Sequence, residues 1–312
     1  MSTRSGPRDG GPDPDLRAVM SERRQLINLA YRLLGSLAEA EDAVQETYAR
    51  WYTLSRQQQQ AIDSPGAWLT KVASRICLDV LGSARARRER YVGEWIPEPV
   101  PDPAEWAGVR PGDTAVDPAD RVTLDESINM AFLVVLESMT PAERVAFILH
   151  DIFRYPFAQV AEIVGRTPAA CRQLASSARR RLDALPAHET PTAQRSGVVR
   201  DFKQAWEASD IHALVDLLDP QATVIADGGG LAPAALHPIE GAEQVARYLA
   251  DMAERAPGEA TILERTVNGQ PGLVAQLGGV TMSVFAFDLV DARITRIWAV
   301  RNPDKLRPWT GV

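Results

Sequence analysis

The segment FAQVAEIVGRTPAACRQLASSARRRL (residues 157–182) constrains the fold of this chain more than any other. Apolar residues recur at helical spacing up to Val164, and Gly165 supplies the backbone freedom that a tight turn needs. Thr167 then caps a second helix, with Pro168 at its first position, where the missing N–H costs nothing. Two short helices joined by a glycine-containing turn predict a helix-turn-helix.

The second helix of this motif carries polar side chains suited to a DNA groove. Residues 165–182 contain five arginines and no acidic residue. Arginine recognises guanine and glutamine recognises adenine in the major groove, and further arginines suit phosphates. The alternative is an ordinary helical hairpin with a solvated basic face. The predicted DNA contacts of this motif are Thr167, Arg172, Gln173, Ser176, Arg179 and Arg180.

The hydrophobic period and the proline content divide the chain into six segments. Helical spacing dominates two of them, and six prolines interrupt the stretch between these two. After the last linker, helical patterns are followed by runs that predict antiparallel strands. The predicted fold is therefore two all-α domains followed by an α+β domain. The segments are a disordered leader (1–15), a helical domain (16–90), a Pro-rich linker (91–120), the helix-turn-helix domain (121–186), a second linker (187–197) and the α+β domain (198–312).

Charge and composition argue against a membrane-spanning or secreted protein. Residues 201–312 contain 9 basic and 15 acidic residues, so most of the net charge of −7 lies in the third domain. No apolar run reaches the roughly 18 residues of a membrane helix, and the leader lacks the apolar core of a signal peptide. We expect a cytoplasmic protein without metal or cofactor, in which Cys77 and Cys171 are small buried side chains.

Two stretches resemble a known family. MTPAERVAFILHDIFRYPFAQVAEIVGRTPAACRQLASSARRRL resembles the promoter-binding fourth region of bacterial extracytoplasmic-function sigma factors. EAEDAVQETYARWY, followed by SPGAWLTKVASRICLDVLGSARARRER, resembles their second region. The resemblance implies that the chain binds core RNA polymerase and directs it to promoters.

The resemblance also implies roles for individual residues. An acidic helix of region 2 docks on the clamp of the largest polymerase subunit, which corresponds here to Asp42, Val44, Gln45 and Glu46. The loop 55–63 corresponds to one that captures an unstacked −10 base. The predicted −10 contacts are Trp68, Lys71, Arg75, Arg85, Arg87 and Arg88. In the family, the second helix of the helix-turn-helix recognises the −35 element, so its DNA contacts are the predicted −35 contacts. For Trp68 the alternative is a core position in the helical domain.

The third domain resembles the SnoaL-like fold, in which a sheet and helices form a cone. WIPEPV (95–100), DGGG (227–230) and NPDKL (302–306) match a sigma subgroup that carries this extension. The resemblance implies that the extension controls the sigma factor in cis. Because glycine permits close backbone approach, we expect DGGG to lie near NPDKL and to hold region 2 or the linker. The alternative for WIPEPV is an incidental aromatic segment. The predicted regulatory interface is Trp95, Ile96, Asp227, Gly228, Gly229, Gly230, Asn302, Asp304 and Lys305.

Other functions stay open at this point. Asp227 with His212 or His237 could perform proton transfer in the cone, although no nucleophile–base spacing is evident and we predict no catalytic residue. A small ligand in the cone could shift a regulatory equilibrium, but only by binding two arrangements with different affinity. A one-component regulator that senses a ligand and binds duplex DNA without polymerase is the alternative for the whole chain.

Overall fold

The structure, a computed structural model, describes residues 22–88, 91–102, 129–184, 191–255, 258 and 260–309. The leader and most of the Pro-rich linker lie outside these ranges. In the described ranges, no helix is both long and apolar enough to cross a membrane.

The described part of the first helical domain, residues 22–88, contains four helices. Gly35, with φ 70°, ends the first helix, and Ser36 caps the second by accepting a hydrogen bond from the Glu39 N–H. The predicted loop 55–63 is wrong in part, because Ser55 and Gln58 form a capping box that starts a short helix inside it. The helices are α1 (Arg23–Leu34), α2 (Leu37–Thr53), α3 (Arg56–Gln60) and α4 (Pro65–Arg88).

The second helical domain contains the predicted helix-turn-helix. Gly165 adopts φ 70° at the turn, and the Thr167 hydroxyl accepts from the Ala170 N–H at the start of the second helix. The two helical domains share one hydrophobic core. The elements are α5 (Met130–Glu137), α6 (Pro141–Phe147), a π-helix (Ile148–Ile152), α7 (Phe157–Val164) and α8 (Pro168–Asp183).

The third domain is α+β, so the predicted fold class is confirmed. Its first helix begins at Thr192, within the predicted linker 187–197, because buried Arg195 extends the packed face of the helix ahead of the apolar run. The elements are α9 (Thr192–Glu207), α10 (Ile211–Leu217), β1 (Leu218–Asp227), β2 (Ile239–Glu240), α11 (Ala242–Glu254), β3 (Ala260–Val267), β4 (Gln270–Leu277), β5 (Val280–Val290), β6 (Arg293–Val300) and a 3-10 turn (Arg307–Trp309).

The sheet has the strand order β2-β1-β6-β5-β4-β3, with β1 parallel to β6 and the other neighbours antiparallel. One face packs against α9, where Phe202 and Trp206 meet Phe287 and Phe285 edge to face. A second core includes Trp298 of β6 together with Ile96 of the linker and Met130 of α5. The linker and the helix-turn-helix domain are therefore packed against the third domain.

Candidate functional site

The end of β1 places a fully buried carboxylate against the linker. Asp227 Oδ1 accepts a hydrogen bond from the Tyr91 hydroxyl at 2.6 Å. Asp227 Oδ2 accepts from the Ile96 N–H at 2.9 Å and from Lys305 Nζ at 2.7 Å. A buried carboxylate is stable only when its charge is compensated and its oxygens are bonded. Asp227 thereby fixes the linker backbone to the sheet.

Lys305 compensates that charge. Its ammonium group also donates to the carbonyl oxygen of Ile96 and lies 4.0 Å from the centroid of the Trp95 ring. Burial and the hydrogen bond to Asp227 raise the pKa of the Tyr91 hydroxyl, which keeps it protonated as a donor. We call Tyr91, Trp95, Ile96, Asp227 and Lys305 the linker clamp.

Asn302 joins the carboxyl ends of the neighbouring strands β1 and β6. Its backbone N–H donates to the carbonyl of Asp227 at 2.9 Å, and its Nδ2 donates to the Tyr91 hydroxyl at 2.7 Å. DGGG and NPDKL thus lie together at the linker. Asp304 does not reach the linker, because its exposed carboxylate pairs with Arg307 instead.

The glycines are required by close packing at two of the three positions that follow Asp227. Gly229 has φ 59°, and a Cβ there would lie 2.3 Å from Asn302 Nδ2 and 2.9 Å from the Tyr91 hydroxyl. At Gly228 a Cβ would lie 2.1 Å from the carbonyl oxygen of Ala232. Gly230, with φ 73°, packs against Val92.

The linker also holds the turn between α1 and α2. Glu98 Oε2 accepts from the Leu37 N–H at 2.8 Å and from the Ser36 hydroxyl at 3.0 Å, and the Glu98 N–H donates to the Gly35 carbonyl at 2.7 Å. Burial raises the pKa of the Glu98 carboxyl. The sequence reading missed this contact, since a glutamate among prolines resembles a solvated residue.

A buried arginine joins the two helical domains at the same turn. Arg144 Nη1 of α6 donates to the Leu33 carbonyl at 2.8 Å and to Glu137 Oε1 at 2.7 Å. Burial lowers the pKa of Arg144 to about 9. The guanidinium satisfies a carbonyl at the C-terminal end of α1 that has no partner within the helix.

Two of the predicted −10 residues, Lys71 and Arg75, contact the second helical domain. Lys71 Nζ is 2.6 Å from Glu162 Oε2 of α7, and Arg75 donates to the Glu162 carbonyl at 2.8 Å. Trp68 packs edge to face on Trp51 at 5.3 Å between centroids, which fits the alternative of a core position. The side chains of Arg85, Arg87 and Arg88 lie outside the described residues.

The predicted polymerase contacts separate into exposed and buried positions. Asp42, Gln45 and Glu46 are exposed on α2. Val44 is wrong as a surface contact, because its side chain is 1% exposed in the helical core. Val44 was included because the family resemblance covers residues 42–46 as one segment. The helical period places its side chain on the inner face of α2.

The predicted −35 residues also differ in their surroundings. Arg172 and Gln173 are exposed, and Arg172 lies over the Phe157 ring. Arg179 makes two hydrogen bonds to the Asp151 carboxylate, at 2.6 and 3.2 Å, so its guanidinium ties α8 to the π-helix. Ser176 accepts a hydrogen bond from Arg180, and Thr167 caps the helix.

The residues considered for catalysis are not brought together. His212 and His237 are exposed, whereas Asp227 is buried and bonded to the linker. Among the described residues, no group of three or more His, Cys, Asp or Glu side chains could hold a metal ion.

Family models match both helical domains, and similar proteins match more than nine-tenths of the chain. The family model described as Sigma-70 region 2 matches residues 18–88, and Sigma-70, region 4 matches residues 129–182. The ECF RNA polymerase sigma factor SigJ of Mycobacterium tuberculosis (strain ATCC 25618 / H37Rv) is 40% identical over 294 residues, covering 91% of this chain and 90% of that protein.

Two further similarities extend over nearly the full length. A probable ECF RNA polymerase sigma factor, SigI of Mycobacterium tuberculosis (strain CDC 1551 / Oshkosh), is 35% identical over 298 residues, covering 95% of this chain and 96% of that protein. The crystal structure of Mycobacterium tuberculosis SigJ superposes with a TM-score of 0.72 at 34% identity, covering 94% of this chain and 98% of that chain.

Proposed function

The chain belongs to the extracytoplasmic-function RNA polymerase sigma factors, and we propose that its SnoaL-like domain controls this activity in cis by holding the two helical domains in a closed arrangement. Such factors bind core polymerase, recognise promoter DNA and initiate transcription. Regions 2 and 4 correspond to the first and second helical domains.

The linker clamp is the observation that carries this proposal. Asp227 and Lys305 belong to the SnoaL-like domain, yet both bind the backbone of Ile96, which lies between region 2 and region 4. Glu98, two residues further on, binds the α1–α2 turn of region 2. Holding the linker therefore restricts the separation of the two DNA-binding regions.

The closed arrangement is expected to inhibit promoter binding. Lys71 and Arg75 are proposed −10 contacts, and both are bonded to Glu162 of region 4. DNA phosphates and Glu162 would compete for the same cations, because each cation reaches one partner at a time. Run-off transcription with core polymerase tests the proposal: loosening the clamp by Asp227→Asn should raise transcription, and unchanged transcription would contradict it.

Glu162→Gln is expected to strengthen binding of a fluorescent single-stranded −10 oligonucleotide about two- to fivefold, the range of a surface ion pair. The substitution removes the charge that opposes the DNA backbone while preserving side-chain size. Fluorescence anisotropy at two salt concentrations measures the effect. Glu240→Gln is the matched control, because it removes an exposed carboxylate of the SnoaL-like domain. Equal affinities of the two variants would argue against competition.

For the −35 element, the exposure of Arg172 and Gln173 supports direct base contacts. Arg172→Ala should reduce discrimination between matched and mismatched −35 sequences by about 1–3 kcal/mol, since a bidentate contact to a base is lost. Arg180→Ala should instead weaken binding to all sequences alike, as expected for a phosphate contact. Competition binding with a −35 library measures both. Retained discrimination in Arg172→Ala would remove it from the recognition set.

We further propose that Asp42, Gln45 and Glu46 contact the polymerase clamp, a role that the exposed face of α2 supports. The SnoaL-like domain is proposed to be non-catalytic, because the carboxylate of Asp227 is occupied by Tyr91, Ile96 and Lys305. A small ligand in the cone would regulate the factor only by favouring the closed or the open arrangement. Binding of core polymerase separates these proposals from a one-component regulator.

A further inference from the structure

The turn between β3 and β4 lies in an unusual environment for a hairpin tip. Asn268 (φ 49°) and Gly269 (φ 71°) form the two-residue connection, as Asn-Gly favours. Hairpin tips normally face water because their backbone groups need partners. Asn268 is 0% exposed, between the linker and region 2.

The partners of Asn268 come from both of these elements. Its backbone N–H donates to the Val100 carbonyl at 2.8 Å, and its Oδ1 accepts from the Val100 N–H at 3.2 Å. Its Nδ2 donates to the hydroxyl of Tyr31 on α1 at 2.7 Å, and that hydroxyl donates to the Glu98 carbonyl at 2.7 Å. Tyr31 is also 0% exposed.

We propose that this hairpin tip is a second attachment, through which the SnoaL-like domain grips region 2 directly at Tyr31. The inference deepens the proposed control in cis and rests on it for its functional meaning. None of the WIPEPV, DGGG and NPDKL segments supplies Asn268 or Tyr31. We call Tyr31, Asn268 and Val100 the hairpin latch.

The hairpin latch and the linker clamp act on different stretches of the chain. The clamp holds residues 91–96, whereas the latch holds residues 98–100 and α1. The hydrogen bonds of the Asn268 side chain described above and those of the Asp227 carboxylate share no atom. Release of one attachment leaves the bonds of the other intact. Full opening requires both to break, and weakening either one lowers the free energy of opening, so loosening the clamp alone still raises the open fraction.

The latch also leads to the polymerase-binding helix. Glu98, whose carbonyl accepts from Tyr31, binds the first N–H of α2 through its carboxylate. The exposed face of α2 carries the residues proposed to contact the clamp of RNA polymerase. A polymerase that displaces α2 from the linker would thus break the bond between Glu98 and Leu37. The strain would be transmitted through Glu98 and Tyr31 to the hairpin tip at Asn268.

Hydrogen–deuterium exchange of the full-length protein, read by mass spectrometry, tests the latch. Asn268→Gly keeps the left-handed backbone and removes the amide, and Tyr31→Phe removes only the hydroxyl. Each should raise exchange in peptides covering residues 26–37 and 98–101 roughly fivefold, as expected for a lost hydrogen bond. Asp291→Gly is the matched control, because Asp291 has the same φ of 49° in the β5–β6 turn and is exposed.

Four outcomes decide the inference. Faster exchange at residues 26–37 in both test variants, but not in Asp291→Gly, supports the latch. A change confined to residues 262–272 in Asn268→Gly overturns it, as does a Tyr31→Phe profile equal to that of the wild type. Exchange at residues 91–96 rising as much as at residues 26–37 overturns the independence of the two attachments. These readouts report on closure alone, so they stand even if Asp227→Asn leaves transcription unchanged.

Discussion

Replacing Asp227 with alanine is expected to destabilise the closed protein by about 3–5 kcal/mol, the usual cost of breaking a buried ion pair from one side. The substitution leaves the Lys305 ammonium group buried beside the Ile96 carbonyl and the Trp95 ring without its counter-charge. The Tyr91 hydroxyl and the Ile96 N–H lose their acceptor as well. Lys305 regains water only when the linker leaves the sheet.

Denaturant unfolding of the full chain, followed by tryptophan fluorescence, measures this loss. Trp95 and Trp309 report directly on the linker, since Trp309 Nε1 donates to the Pro99 carbonyl at 2.8 Å. Asp304→Ala is the matched control, because it breaks an exposed pair with Arg307 in the same turn and should change stability by less than about 1 kcal/mol. Equal effects of the two substitutions would show that the Asp227 pair does not hold the linker.

Gly229→Ala is expected to produce the second largest effect. A left-handed φ costs a non-glycine residue about 1–2 kcal/mol. The new methyl group would also displace Asn302 Nδ2 and the Tyr91 hydroxyl, which adds about 1–3 kcal/mol for overpacking. The expected result is a lower unfolding midpoint together with faster proteolysis in the linker.

Gly278→Ala separates the two costs. Gly278 has φ 58°, nearly that of Gly229, but a Cβ there meets no atom within 4 Å. It should therefore show the backbone cost alone and leave the linker protected. If both variants release the linker equally, close approach at DGGG does not explain the glycines.

The helix-turn-helix could be predicted because its signals are local. The turn glycine, the Thr-Pro helix start and the helical period act within a few residues of one another, and the structure shows all three. The meeting of DGGG, WIPEPV and NPDKL followed from resemblance to a subgroup. Their chemistry follows from the structure, in which Asp227, Ile96 and Lys305 form one buried network.

Errors arose where tertiary contacts override a local pattern. Val44 stands in an acidic run but faces the core. Arg179 stays a predicted −35 contact, but its bond to Asp151 joins residues 28 positions apart and left no signal in the local basic pattern. Tyr31, Glu98 and Asn268 were missed because their partners lie far away in the chain. The Asn-Gly pair predicts a hairpin turn, but no residue near it in the sequence indicates that region 2 covers the turn.

Control by closure predicts that region 2 and the SnoaL-like domain move apart when the protein binds core polymerase. Cysteines introduced at exposed Gln25 of region 2 and exposed His212 of the SnoaL-like domain provide labelling sites for pulsed electron spin resonance. The native thiols are buried, and burial raises the pKa of Cys77 to about 12, so it stays protonated and unreactive during labelling. In the free protein we predict one narrow distance distribution. On binding core polymerase the distribution should move to longer distances, whereas an unchanged distribution in the bound state would contradict control by closure.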